Sequence, residues 1–121
     1  MHAPILVVDD EADLVTTYER LLRRQGWRVV SAGSRHAGLL AVEAQPLSLV
    51  IADIRLPDGT GLDIVKAARS LAEPLPVLVA TGMALPEARQ AALAAGASAF
   101  LTKPFATDAF TRLVRELTAR P

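Results

Sequence analysis

Leu49-Val50-Ile51-Ala52-Asp53 is an apolar run that stops at a single carboxylate. Consecutive apolar side chains with no polar alternation suit a strand buried on both faces, the pattern of a parallel sheet covered by helices. Ile54-Arg55-Leu56-Pro57-Asp58-Gly59 follows at once. Pro57 and Gly59 are turn residues, so the chain leaves the sheet directly after Asp53. Open parallel sheets bind their ligands beyond the carboxyl ends of the strands, which makes Asp53 a candidate site residue. Taken alone, Asp53 is better explained as an aspartate capping a turn. The ends of the other strands decide the matter.

Upstream, residues 5–8 form a second continuous apolar run, which ends in Asp9-Asp10-Glu11. The spacing of Leu14, Tyr18, Leu21 and Leu22 predicts a helix, with Arg23 and Arg24 in its last turn and Gly26 as its stop. Residues 28–32 read as a weaker strand preceded by Trp27. Ser34 is placed to cap a helix carrying Leu39, Leu40 and Val42 that stops before Pro46. Downstream, Thr60-Gly61 leads into a helix bearing Leu62, Val65, Ala68 and Leu71, closed by Pro74 and Pro76. A strand over 77–81 is broken by Gly82. Pro86 suits a first helical turn, and the helix over 87–95 is mostly alanine, with Leu93 its only large apolar residue. Such a helix is expected to grip the sheet weakly and to be among the more mobile elements. A last strand over 97–102 precedes Lys103-Pro104-Phe105, and a final helix shows Phe110, Leu113, Val114 and Leu117 on one face. Strand and helix thus alternate five times with short connections. The expected architecture is α/β: one doubly wound, five-stranded parallel sheet with five helices on its two faces. It is expected to form a single unit over 1–121, with no output domain.

The chain has 121 residues, enough for one core, and 51% of them are hydrophobic, as in a globular domain. Lys+Arg and Asp+Glu both number 13 and the formal net charge is zero, so charge calls for neither nucleic acid nor an anionic membrane. The absence of cysteine excludes disulfides, thiolate metal sites and a cysteine nucleophile. No apolar run approaches membrane-spanning length and Met1-His2-Ala3-Pro4 is not a signal peptide, so a cytoplasmic location is expected.

The strand ends form a constellation. The first supplies Asp9 and Asp10, the third Asp53, the fourth Thr81 and the fifth Lys103, and a wound parallel sheet puts all of them on one rim. Converging carboxylates repel one another, and a hard divalent cation is the natural compensation. Mg²⁺ takes oxygen ligands and is usually held by one or two carboxylates together with phosphate oxygens. Lys103 adds a compact positive charge and Thr81 a hydroxyl donor. The set suits phosphoryl transfer onto Asp53 as nucleophile, with the cation and Lys103 offsetting charge on the transferred group. Each residue has an ordinary explanation: a helix cap for Asp9-Asp10, a surface lysine, a β-branched strand residue. Yet Lys103 is one of two lysines among eleven arginines, and four such residues at matching strand ends make a joint coincidence improbable.

These stretches resemble the receiver domain of bacterial two-component response regulators, of the kind that includes single-domain chemotaxis regulators. The motifs are Val7-Val8-Asp9-Asp10-Glu11, the run from Asp53 through Pro57-Asp58-Gly59 to Gly61, Ala80-Thr81-Gly82 and Lys103-Pro104-Phe105. The resemblance covers residues 5–119. It implies a flavodoxin-like sheet of order 2-1-3-4-5. It also implies that Asp53 accepts a phosphoryl group from a phosphohistidine of a sensor histidine kinase or phosphotransfer protein. Asp9, Asp10, Asp53 and the backbone carbonyl of Arg55 would hold Mg²⁺, and Thr81 and Lys103 would bind the phosphoryl oxygens. A cis Lys103-Pro104 bond is implied, with Thr81 and Phe100 as switch residues. So is a face built from the fourth helix, fifth strand and fifth helix through which a second copy can pair. Such a domain catalyses only its own phosphorylation and dephosphorylation and is not otherwise an enzyme. Arg55 and Met83 occupy positions that vary across the family and tune the phosphoryl lifetime.

Three alternatives share parts of this pattern. A haloacid-dehalogenase-like phosphohydrolase would place its nucleophile after the first strand with a second Asp two residues on, whereas position 11 is Glu. A flavodoxin-like cofactor binder would want a phosphate-cradling loop there, not three acids. A non-phosphorylated interaction module of the same fold would lack part of the site, and no part is missing.

Overall fold

The computed structural model describes residues 2–83 and 85–119; Met1 and Pro121, the bounds given to the domain above, lie outside the described residues. Five strands, β1 (Ile5–Val8), β2 (Val29–Ala32), β3 (Leu49–Ala52), β4 (Val77–Thr81) and β5 (Ala99–Thr102), form one parallel sheet in the order β2-β1-β3-β4-β5. The helices are α1 (Ala12–Arg24), α2 (Arg35–Ala44), α3 (Leu62–Arg69), α4 (Pro86–Ala95) and α5 (Thr107–Thr118). The flavodoxin-like, doubly wound architecture expected from the sequence is the one observed.

The unalternated apolar runs have a simple cause. Every residue of β1, β3 and β4 is buried, because neighbouring strands flank each edge and helices cover both faces. Successive residues feed two separate cores. Leu6, Val8, Val50, Ala52, Val77 and Val79 point to the side of Val42, Ile64, Val65 and Ala88. Ile5, Val7, Leu49, Ile51, Leu78 and Ala80 point to the side of Tyr18, Leu22, Phe110 and Val114. Each large aliphatic side chain so buried contributes about 1.5–3 kcal/mol relative to exposure.

Four details differ from the sequence expectation. Leu40 is 56% exposed, since α2 turns Gly38 and Val42 inward instead. Ile64, unremarked above, is fully buried, while Leu71 lies beyond the end of α3. Leu93 is 44% exposed, so α4 buries only Ala88 and Ala92. Finally, a small antiparallel hairpin pairs Arg55–Leu56 with Gly59–Thr60 where a plain turn was expected.

Candidate functional site

The parallel register fixes the site. Val8 is level with Ala52 across the β1–β3 pair, so the next residues, Asp9 and Asp53, leave the sheet side by side. Thr81 ends β4 level with Thr102 of β5, and Lys103 follows. Asp9, Asp53 and Thr81 are the buried polar side chains among the described residues, at 3%, 8% and 1% exposure. All three sit on this rim. Lys103 Nζ reaches into them, donating to Asp9 Oδ2 at 2.7 Å and Asp53 Oδ2 at 2.8 Å, with Glu11 Oε1 at 3.6 Å. Burial works against the Lys103 ammonium, but the hydrogen bonds and charges of Asp53 and Asp9 outweigh it and raise its pKa above the ordinary lysine value. Lys103 is therefore cationic throughout the physiological range. The Lys103-Pro104 peptide bond is cis.

Backbone groups orient the other partners. Asp9 Oδ1 accepts from Glu11 N at 2.9 Å, Asp53 Oδ1 from Arg55 N at 3.4 Å, and Thr81 Oγ1 from Met83 N at 3.4 Å. The Thr81 carbonyl accepts from Lys103 N at 2.8 Å, tying the ends of β4 and β5 together. The loop after Asp53 passes so close to the strand end that a Cβ at Gly61 would lie 1.8 Å from the Asp53 carbonyl oxygen. Only glycine fits there. Beside the acids opens a cleft of about 760 Å³, lined by Asp10, Glu11, Asp53 and Thr81 together with Arg55, Leu56, Met83 and Leu85.

One oxygen from each of Asp9, Glu11 and Asp53 lies within 4.8 Å of the others. An all-oxygen, anionic donor set beside an open cleft fits a hard cation such as Mg²⁺. Of the acids named from sequence, Asp9 and Asp53 belong to this tight group. Asp10 lines the cleft from an exposed position, and Glu11 joins in its place. The part played by Glu11 escaped the sequence reading, because its approach to Lys103 depends on how the first turn after β1 folds. Phe100 stands apart from the acids on β5, half-buried against the α2–α4 side of the core, with the Arg89 guanidinium 5.8 Å from its ring centroid.

The model of the response regulator receiver domain family matches residues 5–115. This chain belongs to the response regulator receiver family. Among curated relatives of the receiver, the transcriptional regulatory protein TcrX of Mycobacterium tuberculosis is 37% identical over 96% of this chain and 50% of its own length. ZraR of Salmonella typhimurium is 36% identical over 86% of this chain and 24% of its own. The chain thus spans half or less of these relatives. Among solved structures, a chemotaxis-regulator-like receiver domain from Methanospirillum hungatei superposes with a TM-score of 0.90 at 28% identity, covering 96% of this chain and 93% of that one. The receiver domain of the sensor histidine kinase PA1611 from Pseudomonas aeruginosa, solved with a magnesium ion in its active-site cleft, gives 0.87 at 27% identity over 98% of both chains. As a receiver, the protein is a signalling domain of the two-component type. The dehalogenase-like and cofactor-binding alternatives fall with the family assignment.

Proposed function

We propose that this receiver is a phosphorylation-dependent switch whose acceptor is Asp53. The observation that carries the reading is the Lys103 ammonium bridging Asp9 and Asp53, with Asp53 and the buried Thr81 lining an open cleft. A carboxylate oxygen of Asp53 attacks the phosphorus of a phosphohistidine on a sensor kinase or phosphotransfer protein. The new O–P bond forms as the P–N bond breaks, and the electron pair leaves on the imidazole nitrogen, which takes a proton. Lys103 offsets the negative charge on the oxygens of the transferred phosphoryl group, and Thr81 donates its hydroxyl to them. Asp9, Asp10, Asp53 and the Arg55 carbonyl would hold Mg²⁺, which supplies charge neutralisation for the transferring group. The chain turns over no other substrate, acts in the cytoplasm, and contacts neither nucleic acid nor membrane through this domain. No helix among the described residues is long and apolar enough to cross a membrane.

The output follows from the same parts. When the Thr81 hydroxyl turns to the phosphoryl group, space opens beside β4 that Phe100 on the adjoining strand can fill. The face of α4, β5 and α5 then differs between states, and a partner or second copy that prefers one form shifts the population toward it.

Incubation with acetyl phosphate and Mg²⁺, followed by intact mass, tests the reading. The wild type should gain one phosphoryl group and Asp53→Asn none, with its fold retained. A stable adduct elsewhere, with Asp53 unmodified, would refute the assignment. No adduct at all would leave a non-phosphorylated interaction module. Thr81→Ala should still be phosphorylated but lose the phosphorylation-dependent changes in amide exchange across residues 85–105.

A further inference from the structure

The hairpin after Asp53 is two residues a side, Arg55–Leu56 against Gly59–Thr60. A ladder that short does not hold itself in water. Arg55 is exposed; its neighbours Ile54 and Leu56 are buried in the core and its own N–H reaches Asp53 Oδ1 at 3.4 Å, and these hold the strand on the Asp53 side. Two further hydrogen-bonded anchors hold the turn. At its base, Gly61 N donates to Ile54 O at 2.7 Å. At its tip, the Asp58 carboxylate accepts from the first backbone N–H groups of α2: Arg35 N to Oδ1 at 2.7 Å and His36 N to Oδ2 at 2.9 Å. These are orphan donors at the positive end of a helix dipole, the best backbone partner a carboxylate can find. The Arg35 side chain then crosses Gly59, where a Cβ would lie 2.6 Å from Arg35 Cδ, and binds Asp63 of α3 through Nε at 2.7 Å. The tip is pinned between α2 and α3.

We infer that Asp58 is a positioning residue for the metal: by fastening the hairpin tip to α2 it aims the Arg55 carbonyl at the cation beside Asp53. The inference rests on the phospho-acceptor reading above. It separates two roles that sit on the same helix end. Ser34 Oγ accepts from Ala37 N at 3.1 Å, a cap bond within α2's own first turn, whereas Asp58 caps the same helix and also holds the hairpin. A loss that follows from weakening α2 would appear in both variants; a loss from releasing the hairpin appears only at Asp58. Linkage adds a reciprocal effect: if the α2 cap favours Mg²⁺ binding, Mg²⁺ protects the Arg35 and His36 amides to the same degree.

The test is calorimetric titration of Mg²⁺ into wild type, Asp58→Ala, Asp58→Asn and Ser34→Ala, with thermal melts and amide exchange on each. Positioning partners of metal ligands are typically worth 10–100-fold in affinity, so Asp58→Ala should bind Mg²⁺ about 10-fold more weakly. Asp58→Asn, which keeps one acceptor oxygen, should fall between, and Ser34→Ala should match wild type while melting lower. Mg²⁺ should slow exchange at Arg35 and His36 in wild type but not in Asp58→Ala. Unchanged affinity in a folded Asp58→Ala, or an equal loss in Ser34→Ala, overturns the inference alone. A wild type that binds no Mg²⁺ overturns the acceptor reading with it.

Discussion

Lys103 has the most to lose of any residue on the rim. Its side chain is only 12% exposed and satisfies two carboxylates that are themselves buried. Replacing it with Met strands Asp9 and Asp53, and breaking a buried pair from one side costs about 3–5 kcal/mol. Lys103→Met should therefore melt well below wild type in chelator, and Mg²⁺ should restore more of its stability than it adds to wild type. The pH dependence has a definite sign. Because the folded pKa of Lys103 is raised, its contribution is fully present below the ordinary lysine value and drains away as pH climbs through the folded one. Alkaline melts should show that loss in wild type and not in the variant. Tyr18 presents the opposite case. Its hydroxyl is buried without a hydrogen-bond partner, and burial, then the charges of Asp9, Asp53 and Glu11, push its pKa up. An unpaired buried hydroxyl costs about 1–3 kcal/mol, so Tyr18→Phe should raise the melting temperature. A fall would mean that the hydroxyl has found a partner in solution. Asp9, Asp53, Thr81 and Lys103 were legible because each ends an apolar run, and a strand end is visible in one dimension. Asp58 was not: its partners lie 23 and 22 residues away, a distance only the fold can close.

Among the elements, α4 and α5 make a sharp contrast. Helix α5 buries Phe110 and Val114 and stacks Phe110 on Phe105 with ring centroids 5.3 Å apart. Helix α4 buries two alanines and holds Leu93 out to solvent. Val114→Ala should cost about 1–3 kcal/mol through lost burial and a cavity, while Leu93→Ala should stay within about 0.5 kcal/mol, as surface changes do. Hydrogen exchange should find α4 opening before α1 or α5, and uniform protection across the three helices would contradict this account. Why α4 was readable and α2 was not is a matter of composition. An alanine-rich segment advertises thin contacts, whereas Leu39, Leu40 and Val42 offer several faces. The choice falls to Gly38, where a Cβ would lie 2.6 Å from Ile64 Cδ1. The hairpin escaped notice because two-residue strands have no period to read.

For the whole molecule, the acidic rim and Trp27 lie at opposite ends of the sheet. Trp27 stands before β2 at the far end of the sheet, its ring 5.1 Å from that of His2. Mg²⁺ at 100 times its dissociation constant should stabilise the fold by about 2.7 kcal/mol through mass action, while Trp27 emission stays nearly unchanged. Strong quenching would place the metal elsewhere. The overall topology was legible for the same reason that these ends are distinct: the uniformly buried apolar runs of β1, β3 and β4, followed by acids or closed by a hydroxyl, and the half-buried β5, followed by lysine, are the signature of strands crossing the core and emerging at one rim. That division of each strand between two cores leaves a problem of spelling. A strand greasy on both sides reads almost equally well when shifted by one letter, since either face still meets hydrocarbon. What makes the shifted reading wrong is the punctuation after it. Slipping β3 inward would drag the Asp53 carboxylate between the helices, and slipping β1 would do the same to Asp9. The charges that serve the cleft thus also keep the strands from being misread, and a variant with apolar residues at both positions should lose its uniqueness of fold along with its site.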